Sequence, residues 1–234
     1  VSTNSFKIFK NKNFTDLELD KLVKFSNKIG IIFFTTPGDL SSVLRLKKLN
    51  MPVIKISSGL FNNLPLIEKV LKLKKPIIFS CGLANLNEIR KVINYVKKRT
   101  KNFCLLKCTS LYPAPDNTLN LNTIKKLKKE FNIPIGYSDH TKDFLASIIA
   151  VTNGATILEK HFTLNKKLKG GDHHLSLEPK EFFEYVTLIR RTEVMGGKNN
   201  EFPSKMELAQ RKNFHRYLVL NKSSQLKDLI QRHR

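Results

Sequence analysis

The chain has 234 residues, 41% of them hydrophobic, and 42 Lys and Arg against 19 Asp and Glu give a formal charge of +23. Leu, Ile and Val spread along its whole length exclude a disordered chain, and no apolar run approaches the ~20 residues that a bilayer span requires. The basic runs LKLKK (71–75), VKKRTK (96–101) and KKLKKE (125–130) fall on separate amphipathic stretches as wet helix faces, so neither a nucleic-acid partner nor a membrane is expected.

The chain opens VSTNSFKIFKNKN, on Val rather than Met and without the apolar core of a secretory signal, so it is expected to be a piece of a longer one. FTDLELDKLVKFSNKIG (14–30) then reads as one helix stopped by Gly30. Six β-branched apolar runs follow, each closing on small or polar residues: IIFFTTP (31–37), VIKISSG (53–59), PIIFSCG (76–82), FCLLKCTS (103–110), PIGYSDH (134–140) and ATILEKH (155–161). Helix-period stretches separate and follow them: Leu40–Lys48, Leu64–Lys74, Leu86–Lys98, Leu119–Phe131, Phe144–Thr152 and Lys180–Val194. Asn85 or Asn87 is expected to cap the third of these.

Alternating near-continuous apolar strands and helices predict a parallel sheet of α/β class. A doubly wound sheet and a TIM (β/α)8-type barrel both fit. The barrel is preferred because no GxGxxG follows a strand and because every strand ends in groups able to do chemistry, which a closed barrel gathers on one rim. With about six βα units the barrel is expected to be incomplete, over residues 1–196. Residues 197–234 read as a polar, loop-like linker, GGKNNEFPSKMELAQRK, then a short strand-like RYLVLNKSS and a weak basic helix, QLKDLIQRHR.

On the rim, Thr36, Ser58, Ser80, Ser110 and Ser138 each close a different strand, and Lys55 projects from one. Several hydroxyls with one ammonium suit a phosphate dianion, although each hydroxyl alone is a common helix cap. His140 and His161 close the last two strands, where two imidazoles can hold a divalent ion with Asp139 and Glu159 as supporting orienters or proton carriers. Asp172, in the long loop KLKGGDHHLSLEP (167–179), suits proton transfer or a grip on sugar hydroxyls, whereas His173 and His174 are adjacent and point apart. Lys55 and Lys107 keep a Schiff-base aldolase open as a rival, and a basic binding fragment is another. The odd count of Cys81, Cys104 and Cys108, without zinc-type spacing, suggests buried reduced thiols in a cytoplasm.

In order and spacing, IKISSG, PIIFSCGLAN, LLKCTSLYPAP, IPIGYSDHT, GATILEKHFTL and KGGDHHLSLEP resemble the N-acetylneuraminate (sialic acid) synthase family over roughly residues 28–200. The resemblance implies a TIM barrel that condenses phosphoenolpyruvate with an open-chain N-acylmannosamine, releasing phosphate. It further implies a divalent metal, typically Mn2+ with Mg2+ or Co2+ as alternatives, and a homodimer with a C-terminal antifreeze-like domain. Carried over, His140 and His161 match metal ligands. Lys55, Thr36, Ser58, Ser80, Ser110 and Ser138 match groups around phosphoenolpyruvate, and Tyr112 and Asp172 match groups near the sugar. The chain departs from the pattern at Leu60, where an acidic residue is usual, at Cys81 for Thr, at Lys107 for His and at Ser110 for Asn.

Overall fold

The structure is a computed structural model that describes residues 14–197 and 203–216. Two compact units divide at Gly196/Gly197. In the first, helix α1 (Asp16–Ile29) starts on a Thr15–Glu18 capping box and stops at Gly30, whose φ of 73° closes the turn. Helix α2 (Leu40–Lys48) is capped by Asp39. Five βα units follow: β1 (Ile54–Ile56), α3 (Leu64–Leu71), β2 (Ile77–Ser80), α4 (Leu86–Lys97), β3 (Phe103–Cys108), α5 (Thr123–Phe131), β4 (Ile135–Asp139), α6 (Leu145–Thr152), β5 (Leu158–Lys160) and α7 (Pro179–Gly196). Asn85 caps α4 through the amides of Asn87 and Glu88. No helix of the described residues is long and apolar enough to cross a membrane.

All five strands are parallel and lie in strict sequence order, β1-β2-β3-β4-β5, without the order reversal of a doubly wound sheet. The sheet is also curled. Strands four places apart in a flat sheet are separated by about 19 Å at ~4.8 Å a step. Yet Nζ of Lys55 on β1 lies 3.2 Å from Oε2 of Glu159 on β5. The result is a half-barrel.

The first of the six expected strands, residues 31–37, does not form as a strand. It contributes only the single parallel bridge Thr35–Ile54. Among the described residues it pairs with β1 alone, Ile31 and Ile32 stay exposed, and Pro37 offers no N–H to extend the ladder.

Side-chain alternation divides the sheet cleanly. Ile54, Ile56, Ile77, Phe79, Phe103, Leu105, Ile135 and Tyr137 face the helices and join one core with Val43, Leu66, Val92, Ile124 and Ala150. Lys97, Lys98, Lys125 and Lys126 are exposed opposite buried Val92, Val96, Ile124 and Leu127, as the amphipathic reading requires. The other face of the sheet carries Lys55, Ile78, Ser80, Leu106, Gly136, Ser138 and Glu159 into the curl. A Cβ on Gly136 would meet Leu106 Cδ2 at 2.4 Å and the Ile157 carbonyl at 2.5 Å. Overpacking of this kind costs ~1–3 kcal/mol, so Gly136→Ala should lower the unfolding free energy by that amount, read from the midpoint and slope of a urea titration.

The second unit contains α8 (Lys205–Phe214), which corrects the loop expected there. Ser204 and Glu207 form a capping box ahead of KMELAQRK, a run of good helix formers. The strand-like RYLVLNKSS beyond Arg216 and the weak helix QLKDLIQRHR lie outside the described residues.

Candidate functional site

The inward residues of the strand ends meet in one cleft of about 480 Å3, lined by Lys55, Ser57, Ser58, Ser80, Cys108, Ser110, Tyr112, Ser138, His140, Glu159 and His161 among others. Lys55 Nζ donates to Ser80 Oγ at 2.8 Å and approaches Glu159, while Ser138 Oγ donates to Glu159 Oε1 at 2.6 Å. A polar chain, Ser80–Lys55–Glu159–Ser138, thus crosses the inside of the curl. Ser58 and Ser110 flank it at Gly82, where a Cβ would stand 2.7 Å and 2.3 Å from their hydroxyl oxygens. Only glycine lets the two hydroxyls approach this closely. Ser58 Oγ also accepts from the Gly82 amide at 3.1 Å.

Beside this chain stand the two imidazoles, their ring centres 5.2 Å apart and nearly perpendicular. His140 Nδ1 lies 2.7 Å from the Thr109 carbonyl, which fixes the proton on that nitrogen and turns Nε2 toward Ser138, 3.5 Å away. Tyr112 stacks on His140 at 4.2 Å and meets the edge of His161 at 5.8 Å. The loop carrying it is tied down by the Ala114 amide donating to the His140 carbonyl. Asp172 Oδ2 reaches His161 Nδ1 at 3.8 Å from the loop after β5. That loop is fastened by Thr163 to His173 at 2.7 Å and by Ser176 Oγ to the Asp172 carbonyl. His173 is therefore a loop fastener.

Burial, and then the neighbouring His140, hold the His161 pKa below the usual imidazole range, so its ring is neutral at pH 7. Burial also works against charge on His140, but Cys108 and the Thr109 carbonyl beside it carry its pKa up overall. All three cysteines are free and buried, and burial pushes the Cys81 thiol up to about 12. A buried neutral thiol of this kind is inert.

Three sequence-derived candidates fall elsewhere. Thr36 is exposed and off the cleft lining, and its neighbour Thr35 makes the bridge to β1. Asp139 belongs to the helix-facing side of β4, paired with Lys160 at 3.0 Å, so it does not touch either imidazole ring. Lys107 also faces the helices, donating to Thr109 Oγ1 at 2.7 Å, and burial lowers its pKa. The Schiff-base alternative is thereby reduced to Lys55. Glu159 was expected to orient a histidine and instead bridges Lys55 and Ser138. Its place two residues before His161, on the same strand face, was the available signal. A separate apolar groove of about 520 Å3 along α7, lined by Phe183, Val186, Val194 and Met195, draws on no strand end.

Among the described residues no group of three or more His, Cys, Asp or Glu gathers to hold a metal ion. Of the donors lining the cleft, the two imidazoles stand side by side, while the Glu159 carboxylate is engaged by Lys55 and Ser138.

Residues 1–201 match the NeuB family. An N,N'-diacetyllegionaminic acid synthase of Campylobacter jejuni is 43% identical over 199 residues, 82% of this chain and 60% of that relative. The human N-acetylneuraminate-9-phosphate synthase is 40% identical over 174 residues, 74% of this chain and 48% of its own length. The crystal structure of an N-acetylneuraminic acid (sialic acid) synthetase from Leptospira borgpetersenii, in complex with citrate, superposes with a TM-score of 0.84 at 33% identity, covering 92% of this chain and 77% of that one. The chain spans about half to 60% of the length of these two curated relatives. The strand-end motifs and the profile match coincide over the same residues, and the chain belongs to the NeuB family.

Proposed function

We propose that the protein is a nonulosonic (sialic) acid synthase, a transferase that joins phosphoenolpyruvate to the aldehyde carbon of an open-chain N-acylmannosamine-type sugar and releases phosphate. The observation that carries this reading is one cleft holding an ammonium and several hydroxyls directly beside two imidazoles, in a family whose named relatives are synthases of such acids. The fold is read as a TIM (β/α)8-type barrel of which this chain forms part, with residues 197–234 opening an antifreeze-like domain. The working protein is read as a cytoplasmic homodimer.

In this reading Lys55, Ser80 and Ser138 hold the anionic groups of phosphoenolpyruvate, with Ser58 and Ser110 donating from the Gly82 side. Positioning of this sort removes several kcal/mol of barrier by fixing the attacking carbon against the carbonyl. Thr36 is left out. His140 and His161 would hold a divalent ion, Mn2+ first and Mg2+ or Co2+ as substitutes, with other positions left to water and substrate oxygen. The donor set fits, because the Thr109 carbonyl keeps the His140 Nε2 lone pair free. Once bound, such an ion supplies Lewis-acid polarisation of the aldehyde. Water adds to the former enol carbon, phosphate leaves by C–O cleavage, Asp172 passes a proton released by that water to the new alkoxide, and Tyr112 gives the sugar chain a flat wall over His140.

Phosphate release from phosphoenolpyruvate, assayed with a panel of N-acylmannosamine-type acceptors with and without Mn2+, tests the reading. Metal-dependent release is expected with at least one acceptor. No release with any acceptor, or a pyruvate adduct trapped on Lys55 by borohydride, would sink it.

A further inference from the structure

Behind the cleft, on the helix side of the sheet, Asp139 and Lys160 are register partners at the ends of β4 and β5, with side chains 0% and 1% exposed. Each directly precedes one of the two histidines. Lys160 Nζ lies 3.0 Å from Asp139 Oδ2 and donates to the carbonyls of Thr141 (2.6 Å) and Asp143 (3.0 Å). Asp139 Oδ1 accepts from the Thr141 amide and hydroxyl, both at 2.8 Å, and Oδ2 accepts from Ser147 Oγ at 2.6 Å. Ser147 in turn accepts from Tyr185 Oη of α7 at 3.0 Å.

Every proton of the ammonium and both carboxylate oxygens are therefore engaged. Removing two charges fully from water costs several kcal/mol per ion, and a buried pair of this kind is weak evidence for added stability. What it does is local. It grips the chain on both sides of His140, at residues 139 and 141, and at residue 160 next to His161, joining the two strand ends at one point. The Ser138–Glu159 hydrogen bond also ties β4 to β5, but from inside the cleft and two residues back from each histidine, whereas the Asp139–Lys160 pair sits next to both in the chain.

We propose that Asp139 and Lys160 are positioning residues that set the spacing of the two imidazoles and thereby the affinity of the cleft for a divalent ion. This rests on the reading of His140 and His161 as ligands. Neither residue enters the cleft, so neither touches substrate. The role differs from that of an ordinary orienter, which binds the ring's far nitrogen. Here the frame under the rings is held.

The test is Mn2+ binding to the 234-residue chain, followed by electron paramagnetic resonance and calorimetry. Asp139→Asn combined with Lys160→Met removes both charges at once, avoiding a lone buried ion. It should weaken Mn2+ binding by ~10–100-fold, the range seen for residues that support metal ligands, and broaden the spectrum of bound Mn2+. Inorganic phosphate affinity at the Lys55 end should stay within about twofold, which a general loss of fold would not allow. Lys160→Arg, which keeps the charge, should recover most of the affinity. Should the double variant fail to fold, Ser147→Ala withdraws one bond from Asp139 and should still weaken Mn2+ binding several-fold. Wild-type Mn2+ affinity in a folded double variant, or in Ser147→Ala where the double variant is lost, overturns the inference while leaving the ligand reading standing. A wild-type chain that takes up no Mn2+ overturns both.

Discussion

Lys55→Met is expected to weaken phosphoenolpyruvate binding by about 100-fold or more while the protein stays folded. Lys55 is the one lysine or arginine among the residues that line the cleft, and it already makes two charge-assisted contacts there. Hydrogen bonds to charged groups contribute ~1.5–3 kcal/mol each, so losing the ammonium alone removes roughly one to two decades of affinity. A second effect adds to it. Without Lys55, Glu159 faces an incoming anion as an uncompensated carboxylate.

The fold should survive because the partner left behind is not trapped. The Glu159 side chain is 41% exposed against 10% for Lys55, so it rehydrates instead of standing as a buried bare charge. Met also fills the space of the lysine stem. Lys107→Met supplies the control: an equally buried lysine, on β3 and the opposite face of the same sheet, whose loss should leave phosphoenolpyruvate affinity within about threefold. Calorimetric titration of both variants checks the pair of outcomes. Equal losses would remove Lys55 from the site.

The strand ends were legible in the sequence because each apolar run stops where the polar residues begin, and alternation then fixes which of them share a face. Helix Leu40–Lys48 and the Asn85 cap could be read residue by residue, since their signals are local. The run 31–37 has the composition of a strand but, among the described residues, pairs with β1 alone, and pairing is not a local property. Asp139 and Lys107 show the same limit more sharply. Both sit in chemistry-rich strings, SDH and KCT, yet a one-residue offset from Ser138 and Cys108 turns them to the helix side. Counting by two from His161 would have placed Glu159 in the cleft and Lys160 outside it. The tie between Lys55 and Glu159 lay beyond any such count, because it depends on how far the sheet curls.

His140→Ala and His161→Ala should each reduce Mn2+-dependent phosphate release by about 10³-fold, the ~4 kcal/mol that Lewis-acid stabilisation of a developing alkoxide supplies. On the proposed reading, in which the two imidazoles are the protein's donors to the ion, neither can be spared: one remaining ring would be a solitary ligand. The two variants should differ in stability. His140 is 4% exposed, lies under the Tyr112 ring and is bonded to the Thr109 carbonyl. Its removal opens a cavity, strands that carbonyl and frees the tyrosine, a combination worth ~1–3 kcal/mol. The His161 side chain is 30% exposed and its Asp172 contact is long, so His161→Ala should melt within a few degrees of the wild type. His161→Ala is therefore the cleaner experiment, separating chemistry from fold. Metal-dependent activity within tenfold of the wild type in that variant would mean that the ion, if one is used, is held elsewhere.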